Sequence, residues 1–210
     1  MTHQRGSAHE VRIIAGQWKR SKLPVFDRPG LRPTPNRVRE TLFNWLGHDL
    51  SGLRCVDVFA GTGALGFEAA SRGAQLVVLV EQDALLVSRL RESQNRLKAS
   101  SVRVEAGDGL AYLKRCPQGS IDLVFIDPPF EADLFERALA VAAPALTDTG
   151  WAYLEANRAF SEESLRSSGW RLHRADRAGA VFFHLLQRQP TEIDSPSQRT
   201  TVLGDERALG

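Results

Sequence analysis

Short apolar runs alternate with stretches of helical periodicity between Arg54 and Asn157, and no other feature of the chain constrains its fold as strongly. Runs that are almost continuously apolar and rich in β-branched residues are typical of strands covered on both faces. The sequence places such strands at 54–59, 76–81, 102–106, 121–126 and 151–155. Helical patterns occupy the intervals at 64–72, 84–99, 109–116 and 132–146. Parallel strands joined by crossover helices produce this alternation, so the sequence predicts an α/β fold.

The pattern changes after Asn157, where a short predicted helix at 161–167 precedes two further strands at 170–175 and 180–187. The turn-like sequence Ala-Asp-Arg-Ala-Gly separates these strands, and strands linked so closely must run antiparallel. We therefore expect a seven-stranded, mostly parallel sheet with helices on both faces and an antiparallel C-terminal hairpin at one edge.

The N-terminal region, residues 1–50, is predicted to be a small hairpin and a helix that pack on the main body, residues 51–188. Thr34 is a good helix N-cap and Pro35 suits the first helical position. The helix that follows has an apolar face that needs a partner, formed by Val38, Leu42, Trp45 and Leu46. Residues 189–210 are rich in Ser, Thr, Pro and Gln, and we expect them to be disordered.

Composition narrows the class of protein. A chain of 210 residues that is 42% hydrophobic and 25% charged can bury a core without disulfides or metal ions. No apolar run approaches the ~20 residues of a membrane helix, and the first residues lack the apolar segment of a secretory signal. Cys55 and Cys116 have no Cys or His companion at metal-ligand spacing. We expect a cytoplasmic monomer with no metal centre and no membrane partner.

Positive charge is concentrated in residues 1–39, which we call the basic arm. Nine Arg and Lys residues there face only Glu10 and Asp27, a net charge of +7, whereas the rest of the chain carries −5. Clustered cations attract phosphates and release their counterions, so the arm suggests that a polyanion binds at one end of the molecule. A solvated basic face that binds nothing is the alternative.

A glycine-rich sequence follows the first predicted strand of the sheet. Gly61, Gly63 and Gly66 satisfy G-x-G-x-x-G at a strand-to-helix junction, where small residues let a ligand approach the backbone and the helix N-terminus offers free N–H groups. The loop predicts a nucleotide-binding site whose candidate residues are Phe59, Ala60, Gly61, Thr62, Gly63 and Gly66.

Carboxylates near this loop indicate which nucleotide would bind. Glu81 ends the second strand and can accept hydrogen bonds from ribose hydroxyls, which fits a nicotinamide dinucleotide and S-adenosylmethionine equally well. Asp57, inside the first strand, is costly to bury beside a pyrophosphate but suits a cationic amino acid tail. Asp108, with Gly109 beside it, is placed to meet the adenine amine. Its structural alternative is the N-cap of the next helix, and capping and binding can coexist.

The fourth strand ends in the tetrapeptide Asp127-Pro128-Pro129-Phe130, at the edge where open α/β sheets bind ligands. Two prolines fix the chain and remove two N–H groups, which leaves the Asp127 side chain and nearby carbonyls as rigid acceptors. Acceptors that grip the amino group of a nucleobase can aim its lone pair at a sulfonium methyl. Phe130 would stack on the extruded base. These four residues are the candidate catalytic residues.

The chain resembles a class I S-adenosylmethionine-dependent methyltransferase with a Rossmann-like fold that acts on an exocyclic amine. The features that carry this resemblance are the segment from Asp57 to Gly66, Glu81, Asp108 and D-P-P-F. Two N-terminal segments resemble the RsmD family more narrowly. They are R-I-I-A-G-Q-W-K-R-S-K-L-P and R-P-T-P-N-R-V-R-E-T-L-F-N-W-L. Members of that family are bacterial enzymes that methylate guanine N2 in 16S rRNA. The resemblance covers residues 11–188.

The resemblance implies that S-adenosylmethionine is the cofactor and that the substrate is a guanosine in an assembled or partly assembled small ribosomal subunit. The family's R-P-T motif and the helix after it are expected near the cofactor and the target strand. The residues that match this region are Arg32, Pro33, Thr34, Arg37 and Arg39. The family often has Asp where Asn36 stands, so no carboxylate role is expected at that position. The RNA-binding candidates are therefore Arg12, Lys19, Arg20, Lys22, Arg32, Thr34 and Arg37.

Three other functions remain open on the sequence. A DNA adenine-N6 methyltransferase would also use D-P-P-F, but the chain shows no separate target-recognition domain. A nicotinamide-dependent oxidoreductase would use the glycine loop and leave D-P-P-F unexplained. A non-catalytic RNA-binding module would account for the basic arm alone.

Overall fold

A computed structural model describes residues 10–25, 34–129 and 134–189 of the 210-residue chain. Its strands are β1 Glu10–Arg12, β2 Lys22–Pro24, β3 Arg54–Asp57, β4 Leu76–Glu81, β5 Val102–Ala106, β6 Ile121–Ile126, β7 Leu146–Ala156, β8 Trp170–Ala178 and β9 Val181–Arg188. Its helices are α1 Asn36–Leu46, α2 Ala64–Ser71, α3 Ala84–Leu97, α4 Gly109–Arg115, α5 Phe135–Ala145 and α6 Glu162–Ser167. The predicted tail lies outside the described residues beyond Gln189.

The main sheet has seven strands in the order β5-β4-β3-β6-β7-β9-β8. β3 to β7 are parallel, whereas β9 runs antiparallel to both β7 and β8. The predicted α/β fold and its C-terminal hairpin are therefore confirmed. The chain passes from β3 outward to β5 and then returns to place β6 on the other side of β3, and this reversal creates the crevice in which α/β sheets bind ligands.

Alternate residues of the parallel strands enter two hydrophobic cores on opposite faces of the sheet. Val77 and Leu79 of β4 pack with α1, α2 and the N-terminal hairpin, whereas Val78 and Val80 pack with α4 and α5. This two-sided burial explains why the strands are almost continuously apolar in sequence.

The N-terminal hairpin is attached to α2 through a buried carboxylate. The side chain of Glu68 is fully buried and accepts the N–H groups of Ile14 at 2.7 Å and Ala15 at 3.0 Å. Glu68 also forms ion pairs with Arg72 at 2.8 Å and Arg39 at 3.6 Å. Gly16 has φ +80°, and a Cβ there would lie 1.8 Å from the carbonyl oxygen of Ser71. The hairpin therefore lies directly against α2.

Several predicted boundaries were wrong. β7 begins at Leu146 and not at 151, and α5 begins at Phe135, with residues 130–133 outside the described part of the chain. The Ala-Asp-Arg-Ala-Gly sequence lies largely within β8, and the turn falls at Gly179, whose φ is +63°. An exposed edge strand tolerates polar residues that look like a turn in the sequence, because their side chains stay in water. Three further elements end earlier than predicted: β3 ends at Asp57, α2 at Ser71 and α3 at Leu97.

No helix within the described ranges is long and apolar enough to cross a bilayer. The same ranges hold no group of three His, Cys, Asp or Glu side chains arranged to bind a metal ion.

Candidate active site

The glycine loop joins β3 to α2 at the carboxyl end of the sheet. Gly61 and Gly63 have φ angles of +51° and +77°, which L side chains rarely adopt, and Gly63 is the N-cap of α2. A Cβ on Gly66 would lie 2.1 Å from Leu79 of β4, so this third glycine is needed for close helix–sheet packing. Among the other predicted residues of the loop, Phe59 and Thr62 are partly exposed and Ala60 is buried.

Glu81 connects the end of β4 to the glycine loop. Its Oε2 accepts the N–H of Gly61 at 2.9 Å, and its Oε1 accepts the N–H of Asp83 at 2.9 Å. The side chain is partly exposed, and a carboxylate oxygen can accept a second hydrogen bond. The structure therefore leaves Glu81 able to accept a hydroxyl while it already holds the loop.

Asp57 is a buried carboxylate directly beneath the loop. It is 2% exposed, and its Oδ2 accepts the N–H of Gly66 at 3.2 Å. Its Oδ1 has no hydrogen-bond partner in the described structure. Burial raises the pKa of Asp57 to about 7, with a further contribution from the negative charge of Glu81, while hydrogen bonds from the backbone of Gly66 and Phe59 oppose the rise. A cationic ligand at Oδ1 would relieve this burial cost.

Asp108 and Gly109 lie at the start of α4. The Oδ1 of Asp108 accepts the N–H of Ala111 at 2.7 Å, so Asp108 is the helix N-cap that the sequence offered as the alternative to adenine binding. The side chain is exposed, and capping leaves its second oxygen available. A Cβ on Gly109 would lie 2.0 Å from the carbonyl oxygen of Val58, so this glycine permits a close approach to the end of β3.

Asp127 follows β6 at the same edge of the sheet. It is partly exposed, Pro128 is buried and Pro129 is exposed, while Phe130 lies outside the described residues. Burial, followed by the charges of Glu155 and Asp57, raises the pKa of Asp127 well above its ordinary value. The hydroxyl of Thr34 donates to Oδ2 of Asp127 at 3.4 Å and opposes that rise.

Thr34 does not cap α1 and Pro35 is not its first helical residue, so both of these predictions were wrong. α1 begins at Asn36 with Pro35 as its N-cap and no side-chain capping bond. The Thr34 side chain is directed to Asp127, and the residue is only 6% exposed. The hydroxyl that the local sequence predicted as the cap of α1 thus donates to a residue 93 positions away in the sequence.

Glu155 is a residue of this site that the sequence reasoning missed. It lies in β7, is 2% exposed, and accepts a hydrogen bond from the hydroxyl of Tyr153 at 2.8 Å. Burial raises its pKa, and hydrogen bonds from Tyr153 and Thr34 oppose the rise. The available signal was a carboxylate near the end of an otherwise apolar strand, the same signal that drew attention to Asp57.

Three adjacent strands therefore bring carboxyl groups to the same edge of the sheet. Asp57 ends β3, Asp127 follows β6 and Glu155 is the penultimate residue of β7, in a sheet where β6 lies between β3 and β7. Asp127 is influenced electrostatically by both of the others. We call these residues the carboxylate cluster, and such a cluster favours cationic or NH-donating ligands.

The predicted RNA-binding residues do not form one group. Arg12 and Lys22 are both more than half exposed on the hairpin and lie within 4.0 and 2.9 Å of the Glu10 carboxylate. Lys19 and Arg20 are exposed at its turn, and Arg37 is exposed on α1. Arg32 lies outside the described residues, while Thr34 belongs with Asp127 in the buried site.

Arg39 has a structural role that its place in the basic arm did not suggest. It is fully buried and pairs with Glu68. It also donates to the carbonyl of Arg12 at 2.9 Å and to Oδ1 of Asn36 at 2.6 Å. Arg39 thus joins α1 to the hairpin and α2, and its side chain has no exposed surface.

The same fold occurs in a solved structure of the Escherichia coli protein yhhF, with a TM-score of 0.75 and 39% sequence identity. The match covers 87% of this chain and 100% of that one. The Rossmann-like sheet, the glycine loop and the carboxylates at the strand ends define a methyltransferase.

Residues 11–187 match the family model described as Conserved hypothetical protein 95, and the chain belongs to this family. The Escherichia coli K12 protein named Ribosomal RNA small subunit methyltransferase D is 42% identical over 188 residues, which cover 86% of this chain and 91% of that protein. The Haemophilus influenzae protein of the same name is 39% identical, and the match covers 85% of this chain and 94% of that one. The resemblance to the RsmD family is confirmed, and these relatives do not favour a DNA methyltransferase.

Proposed function

We propose that this protein transfers a methyl group from S-adenosylmethionine to the exocyclic N2 amine of a guanine in 16S rRNA of the small ribosomal subunit. One observation carries the proposal. Asp127 is held at the carboxyl end of β6, next to the strand that leads into the glycine loop, in a chain 42% identical to a small-subunit rRNA methyltransferase.

The residues of the site suit S-adenosylmethionine. This cofactor carries an ammonium group on its amino acid tail, and the unpartnered Oδ1 of buried Asp57 is the acceptor that such a group requires. Glu81 can accept the ribose hydroxyls while it holds Gly61. Asp108 and Gly109 are the candidates for adenine. When bound, the cofactor supplies an electrophilic methyl group on sulfonium sulfur.

Asp127 acts on the other reactant. Its carboxylate and the carbonyl groups fixed by Pro128 and Pro129 accept the hydrogens of the guanine amine, whose lone pair is otherwise delocalised into the ring. Gripping those hydrogens favours a pyramidal nitrogen with its lone pair aimed at the methyl carbon. With the cofactor bound, Asp127 would hold the amine hydrogens during methyl transfer and would take up the proton that the nitrogen loses.

The basic hairpin would hold the RNA. Lys19 and Arg20 are exposed at its turn, and α2 fixes the hairpin through Glu68 and the close approach of Gly16 to Ser71. A fixed cationic hairpin suits the phosphates of a folded RNA in an assembled or partly assembled subunit. We propose that the protein acts there as a cytoplasmic monomer.

The test is incubation with radiolabelled S-adenosylmethionine and either small ribosomal subunits from a strain lacking the endogenous activity or duplex DNA, followed by nucleoside analysis. The proposal predicts label in N2-methylguanosine from the subunits alone. Label in N6-methyladenine from DNA, or in a different nucleoside of the subunit, would contradict it.

A further inference from the structure

Thr34 is a residue of the N-terminal region whose side chain lies at the carboxyl edge of the main sheet. Its hydroxyl donates to Oδ2 of Asp127 at 3.4 Å, and the residue is only 6% exposed. Among the residues that the structure describes, no other side chain donates to this carboxylate. The hydroxyl does not cap α1, which begins at Asn36 without a side-chain capping bond. Its hydrogen bond is therefore made to Asp127 and not to the helix.

The backbone beside Thr34 is held in place by the first turn of α1. The N–H of Arg39 donates to the carbonyl of Pro35 at 3.1 Å. The Arg39 guanidinium donates to Oδ1 of Asn36 at 2.6 Å and to the carbonyl of Arg12 at 2.9 Å. Arg39 is fully buried, so these bonds are protected from water. Thr34 thus lies next to a rigid helix start, and its hydroxyl donates from a fixed position.

A hydroxyl in this position acts on the Asp127 carboxylate in two ways. It selects one orientation of the side chain, because Oδ2 must point toward Thr34, and it leaves Oδ1 for the substrate amine. It also stabilises the negative charge, since a hydrogen bond donated to a carboxylate favours the ionised form. The ionised form is the one that can accept the hydrogens of the amine and then take up the proton that the nitrogen loses.

The charged groups that face Asp127 oppose its ionisation. Burial has the largest effect on its pKa, and the negative charges of Asp57 on β3 and Glu155 on β7 raise the pKa further. Tyr153 of β7 donates its hydroxyl to Glu155 at 2.8 Å. Arg39, the buried cation of α1, is paired with a carboxylate of α2. The hydroxyl that donates to Oδ2 opposes the rise in the pKa of Asp127.

We propose that Thr34 is a positioning residue for the methyl transfer, whose hydroxyl orients the Asp127 carboxylate and stabilises its negative charge while it accepts the hydrogens of the substrate amine. This inference rests on the proposed function. It gives the R-P-T segment a part in the chemistry, in addition to the RNA contact that the sequence suggests. A misplaced acceptor no longer aligns the amine with the methyl carbon, so the orienting bond affects the rate of methyl transfer more than substrate binding.

The decisive variant is Thr34→Val, which keeps the branched shape of the side chain and removes the hydroxyl. The maximal single-turnover rate on small ribosomal subunits should fall by roughly tenfold, the effect expected for one hydrogen bond to a charged group. The acidic limb of the rate profile should move to higher pH, because Asp127 without its donor ionises less readily. Thr34→Ser should recover most of the rate and the wild-type pH midpoint, since serine keeps the hydroxyl. S-adenosylmethionine affinity should stay within about twofold of wild type, because Thr34 lies outside the glycine loop.

Thr41→Val is the matched control. It also removes a threonine hydroxyl from the N-terminal region, but the Thr41 hydroxyl donates to the carbonyl of Arg37 within α1 at 3.0 Å. Its rate and pH midpoint should coincide with those of wild type. A Thr34→Val enzyme with the wild-type pH midpoint would overturn the inference, whatever its rate.

Combination with Asp127→Ala separates action through the carboxylate from a general structural role. If Thr34 acts through Asp127, the Val substitution should lower the rate of the Asp127→Ala enzyme by less than about twofold. A loss of roughly tenfold in both backgrounds would show that Thr34 acts independently of the carboxylate, and it would contradict the inference.

Thr34→Ala tests the same hydrogen bond if Thr34→Val does not fold, because the smaller side chain also lacks the hydroxyl. The same fall in rate and the same displacement of the acidic limb are expected, and an unchanged pH midpoint would again overturn the inference. The proposed function would fail separately, through absence of N2-methylguanosine with wild-type enzyme.

Discussion

The N–H of Gly66 donates to the carboxylate of Asp57 at 3.2 Å, which ties the first turn of α2 to the end of β3 and leaves the other carboxylate oxygen without a partner in the described structure. One half of a buried carboxylate thus completes the fold, and the other half is available to a ligand. The pairing explains how a charge that the fold alone would not favour can be retained in the first strand.

Binding of S-adenosylmethionine should release a proton from Asp57. The pKa of Asp57 in the free protein is about 7, and the cationic amino acid tail should lower it. Affinity should therefore rise as the pH is raised toward about 7 and level off above it. Calorimetry in buffers of different ionisation enthalpy measures the released proton directly. 5′-Methylthioadenosine lacks the tail, and Asp57→Asn lacks the carboxylate, so neither should show this dependence. A pH-independent affinity for the wild-type protein would remove the assignment.

Replacing Glu81 by Ala should weaken cofactor binding for two reasons. The ribose loses its acceptor, and Gly61 loses the hydrogen bond that holds the loop. Comparing S-adenosylhomocysteine with its 2′-deoxy analogue separates the two effects, since only the first depends on the hydroxyl. We expect Glu81→Ala to lower the affinity for S-adenosylhomocysteine more than the affinity for its 2′-deoxy analogue. Equal reductions in affinity for both ligands would restrict Glu81 to a structural role in the loop.

Neutralising Lys19 and Arg20 should weaken association with the small subunit and flatten its salt dependence by roughly one unit for each phosphate that the variant no longer binds. Neutralising Arg12 and Lys22 should have a smaller effect, because both lie near the Glu10 carboxylate. Affinity for S-adenosylmethionine should not change. Filter binding across a salt series provides the measurement.

Replacing Arg171 and Arg174 removes the same amount of charge and is the control. Both residues are exposed on β8, an edge strand far from the hairpin. Their replacement should leave the salt slope closer to wild type than the replacement of Lys19 and Arg20. The same slope for both double variants would mean that net charge alone attracts the RNA and that the hairpin has no special part.

Glu68 should be among the most important residues for stability. The substitution Glu68→Gln would leave Arg39 and Arg72 buried without their counter-ion and would weaken the attachment of two backbone N–H groups. Breaking a buried ion pair from one side typically costs about 3–5 kcal/mol. Urea unfolding should show a decrease in stability of that size. Glu92→Gln, which breaks an exposed pair with Arg89, should change stability by less than about 1 kcal/mol. Similar values for the two variants would contradict the role of Glu68.

Local sequence patterns predicted the sheet and the position of the glycine loop, because both depend on short-range rules. Apolar runs marked β3, β4, β5 and β6, and the spacing of Gly61, Gly63 and Gly66 marked the loop. The edge strand β8 was predicted too short, since exposed strands do not need an apolar pattern.

Two of the residues that were misplaced, Thr34 and Arg39, have partners that are remote in sequence. The Thr34 hydroxyl donates to Asp127, which is 93 positions away in the sequence. Arg39 of α1 forms an ion pair with Glu68 of α2. Glu155 was overlooked because a single carboxylate in a strand acquires meaning only when the neighbouring strands are known. No periodicity records such long-range pairs, which follow from the order of the strands in the sheet.

The most direct test of the central claim is the single-turnover rate of methyl transfer by Asp127→Ala on small ribosomal subunits. Removal of one positioned electrostatic interaction should lower the rate by a factor of roughly 100 or more, with little change in cofactor affinity. Asp127→Asn, which keeps one acceptor oxygen, should fall between Ala and wild type and show little pH dependence near neutrality. A folded Asp127→Ala protein with a rate near that of wild type would contradict the account and leave Asp127 as a structural residue at the end of β6.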